Sequence, residues 1–596
     1  MTVDCGINAQ VTNLNLKSTD PVPVQPGRRQ YRTVLQNAHA TVIKITKPEP
    51  ILLAFAQKTM CDSLSGKTND ISIRYTIQTE AQQETVIQKL VTISLSIQDG
   101  EDVETTAYAR LERLESFEKE LALHSAEMLR RWQEVDIQLE GSEEDQLALR
   151  YNLFQLMQAC PEHSNRRSIG ARGLTGEMYE GCIFWDTEAF MLPFFTMTNP
   201  AAARGLLMYR YHTLAQAKKH AKSHGLNGAM YGWQVNDYGQ EQTPPGGGAF
   251  YSIHVIADIA YAVQQYWLAT EDGEFMMSYG LELLIETTRF WASRATRRED
   301  GKYDIMAVRG PNEYDIMVNN NLYTNMMARE NILLCIDMLR KMKILYEQKT
   351  QTLENKMELT KQEQLMWSEV ACRLVLPYDS EMDLWLEDDT YLRRRPLDLS
   401  KAKTDGQHIV NSSVPYETLP LYQVTKQADV LHLMKNLPNY FTPKQMQTAY
   451  DFYEPKTAFD SSLCYSVFSL MAARLGREDA AVSYYDQMAN LDIRNVQLNT
   501  ISGLHFANFG GTWQTVVFGF GGVTVESDGI RIKPHLPKKW SRISFRLKYR
   551  NAVLKIEITH NQTTVTLLQS AEQPVSIFHD AQHLRLNLSG DRVSFS

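Results

Sequence analysis

The chain has 596 residues, of which 43% are hydrophobic and 22% charged, a composition typical of globular proteins that excludes wholesale disorder. Its length predicts about two to four domains, and its net charge of −9 disfavours a generally basic nucleic-acid binder. The seven cysteines are scattered without metal-ligand spacing, which favours reduced thiols in the cytoplasm. The sequence contains neither a signal peptide nor a run of about 18 apolar residues, so we expect no membrane-spanning segment.

The first 100 residues show the alternation of apolar and polar side chains that predicts β-strands. In one segment Ile71, Ile73, Tyr75 and Ile77 alternate with polar residues. In a second segment the apolar positions are Val91, Ile93, Leu95 and Ile97. A period of two with one polar side predicts half-buried antiparallel strands.

Between Glu104 and Trp132 the pattern changes to apolar residues at three- and four-residue spacing among charges, as at Leu111, Leu114 and Phe117. This spacing predicts one long amphipathic helix. A coiled-coil arm is the alternative. The repeat is short, which favours a linker helix that leads from a β domain into a larger domain.

Helical periodicity dominates from about residue 145 to residue 525, and no Gly-rich phosphate loop follows a strand. This region is therefore predicted to be an all-α domain with functional loops. Its clearest predicted helices are Ala201–His220, Ser252–Leu268, Glu274–Ser293 and Asn321–Gln348. After Gly529 the period returns to two, and Arg550-Asn551 is predicted to be the turn between two strands of a C-terminal β domain.

Two clusters of aromatic and acidic residues are candidates for a carbohydrate site. In the first, the face of Trp185 could pack on the C–H face of a sugar, and Asp186 could accept hydrogen bonds from its hydroxyls. In the second, Glu313 follows a proline turn and could serve as a general acid. The structural alternatives are a helix cap at Asp186 and a solvated loop at Glu313.

Two further clusters carry hydrogen-bond donors. Lys426 and Gln427 are long donors that could reach hydroxyls, or they could form an ordinary helix start. A later set of hydroxyl, imidazole and glycine amide groups could together bind an anion such as phosphate, although Asp460 could merely cap a helix there. This set is Ser461, Ser462, His505, Gly510 and Gly511. The run Arg393-Arg394-Arg395 could bind an anionic acceptor, but it is interpreted as a solvated surface segment.

These clusters occur in an order that resembles glycoside hydrolase family 65, the inverting phosphorylases of maltose, trehalose, kojibiose, nigerose and related α-glucosides. The resemblance runs from about residue 30 to the C-terminus. It is strongest in 172–195, 209–234, 286–294, 308–325, 422–430, 459–463 and 503–522. It implies a multidomain α+β protein in which a large all-α (α/α)6 barrel lies between a partial N-terminal β-sandwich and a C-terminal β domain. The implied ranges are 1–100 for the sandwich, 101–140 for a helical linker, 141–527 for the barrel and 528–596 for the last domain.

The resemblance also implies a role for each candidate residue, with Glu313 as the single general acid. The residues implied to bind the glucosyl unit are Trp185, Asp186, Lys426 and Gln427. The loop Val235–Gly248, with Gln240 and Glu241, is implied to shape the acceptor side. The residues implied to bind phosphate are Ser461, Ser462, His505, Gly510 and Gly511. The family commonly has Asp, His and His at the positions where Asn312, Asp315 and Phe459 stand here.

The implied reaction is inverting phosphorolysis. Glu313 protonates the glycosidic oxygen and phosphate attacks the anomeric carbon, which gives β-glucose 1-phosphate and a free acceptor. One carboxyl suffices because phosphate is already an anion, whereas hydrolytic inversion needs a second carboxylate to activate water. The alternatives are an inverting hydrolase, with Asp460 or Glu454 as candidate second carboxylate, and a degenerate sugar-binding protein. We expect no metal and no cofactor, an α-glucosyl disaccharide and phosphate as the only partners, no nucleic acid or membrane, and a homodimer as a compatible assembly.

Overall fold

The computed structural model describes residues 2–8, 31–45, 51–60, 64–68, 72–100, 102–162, 164–244, 248–401 and 414–595. The chain divides into two compact units, Met1–Gln133 and Glu134–Ser596. It is a multidomain α+β protein whose larger unit has a helical core and a β-rich C-terminal part.

The first unit contains two antiparallel sheets, followed by helices. The strands are β1 Thr2–Gly6, β2 Tyr31–Gln36, β3 Ala40–Ile45, β4 Ile51–Met60, β5 Leu64–Thr68, β6 Ser72–Ile77 and β7 Gln88–Leu95. One sheet has the order β1-β6-β5 and the other β2-β3-β4-β7. The helices are α1 Ser96–Asp99, α2 Val103–Arg113 and α3 Phe117–Val135. In β6 the apolar residues Ile73, Tyr75 and Ile77 are buried between exposed neighbours, which confirms the predicted alternation there.

In strand β7 the buried side is the polar one, whereas the alternation predicts that the apolar side is buried. Thr92 and Ser94 are buried, whereas Val91 and Ile93 are 43% and 48% exposed. The buried side packs against α2, and Thr92 Oγ1 donates a hydrogen bond to the carbonyl of Ala107 at 2.7 Å. A hydroxyl that bonds a helix carbonyl is buried at little cost, so the smaller side of the strand can approach the helix closely.

The single helix predicted over Glu104–Trp132 is wrong, because the structure has a break between α2 and α3. Leu114 is extended, with φ −73° and ψ 131°. Ser116 Oγ then accepts a hydrogen bond from the amide of Lys119 at 3.3 Å and begins α3. A serine at this position is a helix start signal, and it overrides the continuous apolar spacing.

The helical core of the second unit runs from residue 143 to residue 520. Its α-helices are α4 Glu143–Ala159, α5 Leu192–Thr198, α6 Pro200–His212, α7 Leu214–Ser223, α8 Val255–Thr270, α9 Gly273–Phe275, α10 Leu281–Arg294, α11 Leu322–Leu345, α12 Glu347–Lys356, α13 Lys361–Arg373, α14 Val430–Asn436, α15 Pro443–Tyr453, α16 Cys464–Arg474, α17 Glu478–Ala489 and α18 Phe506–Gln514. Its π-helical segments are Thr187–Met191, Met276–Gly280 and Thr515–Phe520. Short strand pairs in its loops are β9 Thr296–Arg297 with β10 Tyr303–Asp304, β11 Tyr378–Asp379 with β12 Leu384–Trp385, and β13 Arg395–Pro396 with β14 Tyr422–Gln423. The helix predicted over Ala201–His220 is interrupted at Thr213, which separates α6 from α7.

The C-terminal part holds two sheets, with the orders β15-β16-β20-β21 and β22-β19-β18-β17-β8. Their strands are β8 Gln138–Glu140, β15 Val523–Glu526, β16 Gly529–Ile532, β17 Arg542–Tyr549, β18 Ala552–Thr559, β19 Thr563–Gln569, β20 Val575–His579, β21 Gln582–Leu586 and β22 Arg592–Phe595. Arg550 and Asn551, with φ 48° and 66°, form the turn between β17 and β18, which confirms the predicted hairpin. Strand β8 comes from the segment predicted as linker, so this sheet takes a strand from before the helical core.

Trp540 attaches the C-terminal part to the helices. Its ring is fully buried against Tyr485 and Phe520, and its Nε1 donates to Asp145 Oδ2 at 2.6 Å. Within the described ranges, no helix is both long and apolar enough to cross a membrane.

Candidate active site

The loop Gly310–Asp315 is joined to the segment Thr425–Asp429 by the amide of Asn312. Its Oδ1 accepts hydrogen bonds from the backbone of Lys426 at 2.8 Å and of Tyr314 at 3.2 Å. Its Nδ2 donates to Glu387 Oε1 at 2.7 Å and to the carbonyl of Val424 at 3.1 Å. Only an amide offers both donors and acceptors in this way, so Asn312 serves as the crosslink of the site.

Gln427 also joins the loop Gly310–Asp315 to the segment Thr425–Asp429. The resemblance instead implied that it contacts the sugar. Its Nε2 donates to the carbonyl of Pro311 at 2.6 Å, and its side chain is buried. Gly310 allows the close approach, because a Cβ there would lie 2.4 Å from Asp429 Oδ2. In this structure Gln427 therefore holds the loop rather than presenting a donor to a ligand.

Glu313 and Lys426 form an ion pair at the surface of this joint. Lys426 Nζ donates to Glu313 Oε2 at 2.9 Å, and each side chain is about a quarter exposed. Burial raises the pKa of Glu313, but the cations Lys426 and Arg309 outweigh it, so that the pKa lies below its ordinary value. Glu313 is therefore ionised at neutral pH when no ligand is bound.

Asp186 lies directly before the π-helical segment Thr187–Met191 and makes no cap hydrogen bond. Burial, and next the charge of Glu313, raise the pKa of Asp186 to about 7, while Arg172 acts in the opposite direction. The negative charge of Glu313 thus acts on the carboxyl of Asp186. The helix-cap alternative for Asp186 is wrong, and its carboxyl remains available to a ligand.

Trp185 differs from the implied open sugar platform, because only 1% of it is exposed. Its ring lies among five other rings, those of Phe190, Trp233, His254, Tyr323 and His432. Trp185 therefore belongs to a buried aromatic cluster next to Asp186 in the chain.

A buried ion pair fixes the backbone around Asp186. Arg210 Nε and Nη2 donate to the two carboxylate oxygens of Glu188 at 2.7 and 2.8 Å, and Nη2 also donates to the carbonyl of Phe184 at 3.1 Å. Both side chains are excluded from solvent. A bidentate arginine is geometrically specific, so it anchors the π-helical segment to α6.

Two arginines beside the site carry no role in the sequence interpretation. Arg309 is buried, donates from Nε to Ser252 Oγ at 2.8 Å, and has no hydrogen-bond partner for Nη2. Arg172 is buried and donates from Nη1 to the carbonyl of Gly503 at 2.9 Å. The signals that could have found them are their positions, directly before Gly310 and at the start of the first aromatic cluster.

The hydroxyl and imidazole groups of the predicted phosphate site lie at the starts of two helices. Ser461 and Ser462 precede α16, and His505 precedes α18. Helix α16 runs parallel to α18 and the π-helical segment Thr515–Phe520 that continues it, because Gly511 approaches Ser466 and Gly519 approaches Leu470. Their positive ends therefore point in the same direction.

Asp492 holds the ring of His505, with a distance of 2.7 Å between its Oδ1 and Nδ1 of the imidazole. Gly510 and Gly511 do not belong with this group. They lie inside α18, where a Cβ on Gly510 would be 2.2 Å from the carbonyl oxygen of Phe190. Their hydrogen atoms permit close packing of α18 on the π-helical segment, and their amides belong to a helix interior.

The predicted acceptor loop is held together by its own side chains. Gln240 Oε1 accepts from Asn236 Nδ2 at 3.0 Å. Glu241 accepts at Oε1 from Thr243 Oγ1 at 2.6 Å and at Oε2 from the amide of Trp233 at 3.2 Å. The residues 245–247 of this loop lie outside the described ranges.

A cluster of buried carboxylates lies behind the loop. Oxygen atoms of Asp315, Glu387 and Asp388 lie within 4.8 Å of one another, a spacing that could hold a metal ion. Arg394, which the sequence interpretation assigns to the surface, is buried there instead and donates to Asp315 Oδ1 at 2.5 Å and also to Asp388. Its guanidinium already supplies a positive charge between these carboxylates.

The pKa values in this cluster are raised. Burial and the charge of Asp315 raise the pKa of Asp388 to about 6, and the same causes raise that of Glu387. Burial raises the pKa of Asp429 to about 8 against the donors Asn312 and Asn321. The cluster therefore retains protons near neutral pH.

The two candidates for a hydrolytic base are both engaged. Tyr314 Oη donates to Asp460 Oδ2 at 2.5 Å, and Tyr484 Oη donates to Glu454 Oε1 at 2.5 Å. Asp460 is buried by this contact rather than capping a helix, whose first residue is Cys464.

Comparison with known proteins places the chain among carbohydrate enzymes. Residues 150–514 match the Glycosyl hydrolase family 65 central catalytic domain, and residues 523–586 match the C-terminal domain of the same family. A solved structure described as "Putative kojibiose phosphorylase from human microbiome" has a TM-score of 0.87 at 26% identity, covering 100% of this chain and 78% of that one.

Curated relatives are sugar phosphorylases. Kojibiose phosphorylase from Caldanaerobacter subterraneus subsp. tengcongensis is 37% identical over 76% of this chain and 61% of its own length. Alpha,alpha-trehalose phosphorylase from Thermoanaerobacter brockii is 35% identical over 82% of this chain and 61% of its own. Maltose phosphorylase from Bacillus subtilis is 30% identical over 87% and 67%. The chain thus spans about three fifths of the length of the first two.

The crosslink at Asn312 predicts that Asn312→Asp is strongly destabilising. The substitution removes the hydrogen bond donated to the carbonyl of Val424 and leaves Glu387 as the only possible donor opposite the new acid, so we expect a loss of about 2 kcal/mol in the free energy of unfolding at neutral pH. The new carboxyl would have a raised pKa in the folded protein. Its destabilisation should therefore be smallest below about pH 4 and grow as pH rises. Denaturant titrations across pH measure this.

Two further variants make the Asn312→Asp measurement specific. Asn355→Asp makes the same chemical change at an exposed site and should leave stability near the wild-type value. Adding Glu387→Gln to Asn312→Asp restores a donor opposite the new acid and should recover part of the loss. Equal stabilities of Asn312→Asp and wild type at pH 7 would contradict the crosslink.

Proposed function

The chain belongs to glycosyl hydrolase family 65, and we propose that it is a disaccharide phosphorylase that transfers the glucosyl unit of an α-glucoside to inorganic phosphate with inversion. The products of this reaction are β-glucose 1-phosphate and a free acceptor. We also propose that the helical core forms the (α/α)6 barrel expected of the family and that the loop Val235–Gly248, with Gln240 and Glu241, borders the acceptor.

The observation that carries the proposal is the charge of the site. Arg172, Arg309 and Lys426 act electrostatically on Asp186 and Glu313. Glu188 also acts on Asp186, but its ion pair with Arg210 neutralises it, so cations outnumber carboxylates. An excess of positive charge suits an anionic nucleophile, whereas activation of water needs a free carboxylate base. Asp460 and Glu454 are each already bonded to a tyrosine hydroxyl.

Glu313 must gain a proton before it can act as general acid. Sugar hydroxyls compete with the carboxylate for Lys426, which weakens the ion pair that lowers the pKa of Glu313. The charge of an arriving phosphate raises that pKa further, because like charges disfavour ionisation. Substrate binding itself thus protonates the acid, and Glu313 then donates the proton to the glycosidic oxygen.

The parallel starts of α16 and α18 support the phosphate position. Ser461, Ser462 and His505 lie where two positive helix ends point the same way, which favours an anion. Asp492 orients the imidazole of His505 by its contact with Nδ1. Arg172 bonds the carbonyl two residues before His505 and adds positive charge.

A synthesis-direction assay tests the reaction. The protein is incubated with β-glucose 1-phosphate and a panel of acceptors, and phosphate release is recorded. Release that depends on one acceptor would support the proposal and identify the linkage partner. Phosphate-independent hydrolysis of kojibiose, nigerose, maltose or trehalose would instead establish a hydrolase. Absence of both reactions in a folded, sugar-binding protein would leave the degenerate binder.

Glu313→Gln should reduce turnover about 10²- to 10⁴-fold, because it deletes the proton donor while changing little volume. The matched control is Glu417→Gln, an exposed glutamate in a neighbouring segment, which should keep wild-type turnover. Circular dichroism checks that both variants fold. A folded Glu313→Gln variant with near-normal turnover would remove Glu313 from the role.

His505→Ala should raise the phosphate concentration needed for half-saturation and change the half-saturating disaccharide concentration far less. His560→Ala, at an exposed position of the C-terminal part, is the control. The measurement is a phosphate saturation curve at fixed disaccharide. An unchanged curve for a folded His505→Ala variant would place phosphate elsewhere.

A further inference from the structure

A cavity of about 520 Å³ lies among helices of the second unit, and none of the residues given a role in the proposed reaction lines it. Its walls come from α5, α8, α11, α14, α16 and β15. Four cationic side chains line it. Arg550 pairs with Glu271, and Lys341 lies over the ring of Trp267. Lys435, at the end of α14, and Arg474, at the end of α16, instead contact each other. Neither Lys435 nor Arg474 has a role in the reaction proposed above.

The two cations have no acidic partner. Within the described part of the chain, no carboxylate oxygen lies within 4 Å of Lys435 Nζ or of the Arg474 guanidinium, and the polar contact of Lys435 Nζ is with His432 Nε2 at 3.4 Å. Arg474 Nη1 donates to the backbone carbonyl of Lys435 at 3.1 Å, which brings the two residues together. The nearby Asp258 is already bonded to His254 and to the hydroxyl of Tyr323.

Burial makes these unpaired charges costly. It lowers the pKa of Lys435 to about 7, with a further contribution from Arg474, and it lowers that of Arg474 to about 10. Two of the carboxylates that line the cavity are engaged elsewhere, because Glu330 pairs with Arg329 and Glu526 with Arg531. The third, Asp337, is exposed and forms no ion pair with Lys435 or Arg474 within the described residues. A buried cation is stabilised only by a counter-charge with good hydrogen bonds.

The rest of the lining fits the other end of an anionic sugar. Aromatic faces and amide groups suit the C–H face and hydroxyls of a hexose. These residues are Tyr261, Gln264, Gln265, Trp267, Asn439, Tyr440 and Phe518. We propose that this cavity binds a phosphate-bearing ligand, inorganic phosphate or a sugar phosphate, between Lys435 Nζ and the guanidinium of Arg474.

The proposed site also has a route of contact to the candidate active site. Burial and the charge of Lys435 keep the pKa of His432 well below its ordinary value, so His432 is neutral and can accept from Lys435. The ring of His432 lies 5.1 Å from that of Trp185, the residue before Asp186. His432 thus contacts both Lys435 of the proposed site and the buried ring of Trp185.

Binding is tested without turnover, so the result does not depend on the proposed function. Isothermal titration with inorganic phosphate, glucose 6-phosphate and neutral glucose is made in a His505→Ala background, which weakens the active-site anion position. We expect phosphate-bearing ligands to bind with an affinity that Lys435→Met weakens. Any binding of glucose, which the candidate active site is proposed to accept, should be the same with and without Lys435→Met. The stronger of the two phosphate-bearing ligands identifies the source.

Lys435→Met should weaken this binding about ten- to a hundredfold, because it deletes a charged donor. Lys435→Arg should retain binding, and Lys444→Met, at an exposed lysine, should leave it unchanged. Without ligand, Lys435→Met should melt at a higher temperature than its parent, because an unpaired buried charge is gone.

Equal phosphate affinity in Lys435→Met and its parent would overturn the proposal, and so would absence of phosphate binding in the His505→Ala background. Arg474→Met provides a second, independent variant with the same expected loss of affinity. If either variant unfolds, phosphate protection of Lys435 against an amine-reactive label in the unsubstituted protein decides. Labelling unaffected by phosphate would count against the site.

Discussion

The arrangement of the candidate site depends on one amide side chain. Asn312 accepts two backbone hydrogen bonds and donates two others, and so fixes the loop that carries Glu313 to the segment that carries Lys426. These hydrogen bonds set the distance between Glu313 and Lys426. They also bring Gln427 close enough to donate to the carbonyl of Pro311. An aspartate, which the family commonly has here, cannot donate, so the glutamate opposite it would need to carry a proton.

The loop and the segment that Asn312 joins also contact a cluster of buried carboxyl groups. Arg394 neutralises part of the charge of Asp315 and Asp388. The raised pKa values of Glu387 and Asp429 favour the protonated, neutral form of these two carboxyls. A carboxyl with a raised folded-state pKa favours the folded protein less as pH rises above its unfolded value. Protonation of these carboxyls at low pH therefore stabilises the loop. The exposed side of the site is dominated by cationic side chains instead. The two faces of one loop have opposite electrostatic character.

Much of the fold could be predicted where one physical signal acted alone. The alternation at Ile73 and Tyr75 predicted a half-buried strand, and Arg550-Asn551 predicted a hairpin. Prediction failed where a second signal competed: a serine cap divided the long helix, and a hydroxyl bonded to a helix carbonyl reversed the buried side of β7. In both cases a local hydrogen bond outweighed periodicity.

The candidate site was predictable in its residue types, and less so in their contacts. The structure brings Glu313, Lys426 and Asp186 close together, and their roles belong to the proposal. Spacing could not show that Gly510 serves helix packing, or that Arg172, Arg309 and Arg394 are buried, because each depends on residues more than 50 positions away.

Strand β8 has a consequence for the order in which the protein is made. Its residues pair with β17, and Arg542 also bonds Glu140 across 402 positions. During synthesis β8 is made long before β17. The backbone of β8 therefore has no β17 to pair with until the residues of the helical core have been made. Contacts of such sequence separation close late and slowly. The sheet that contains β8 can thus be completed only after β22 has been made, and so after the residues of the helical core.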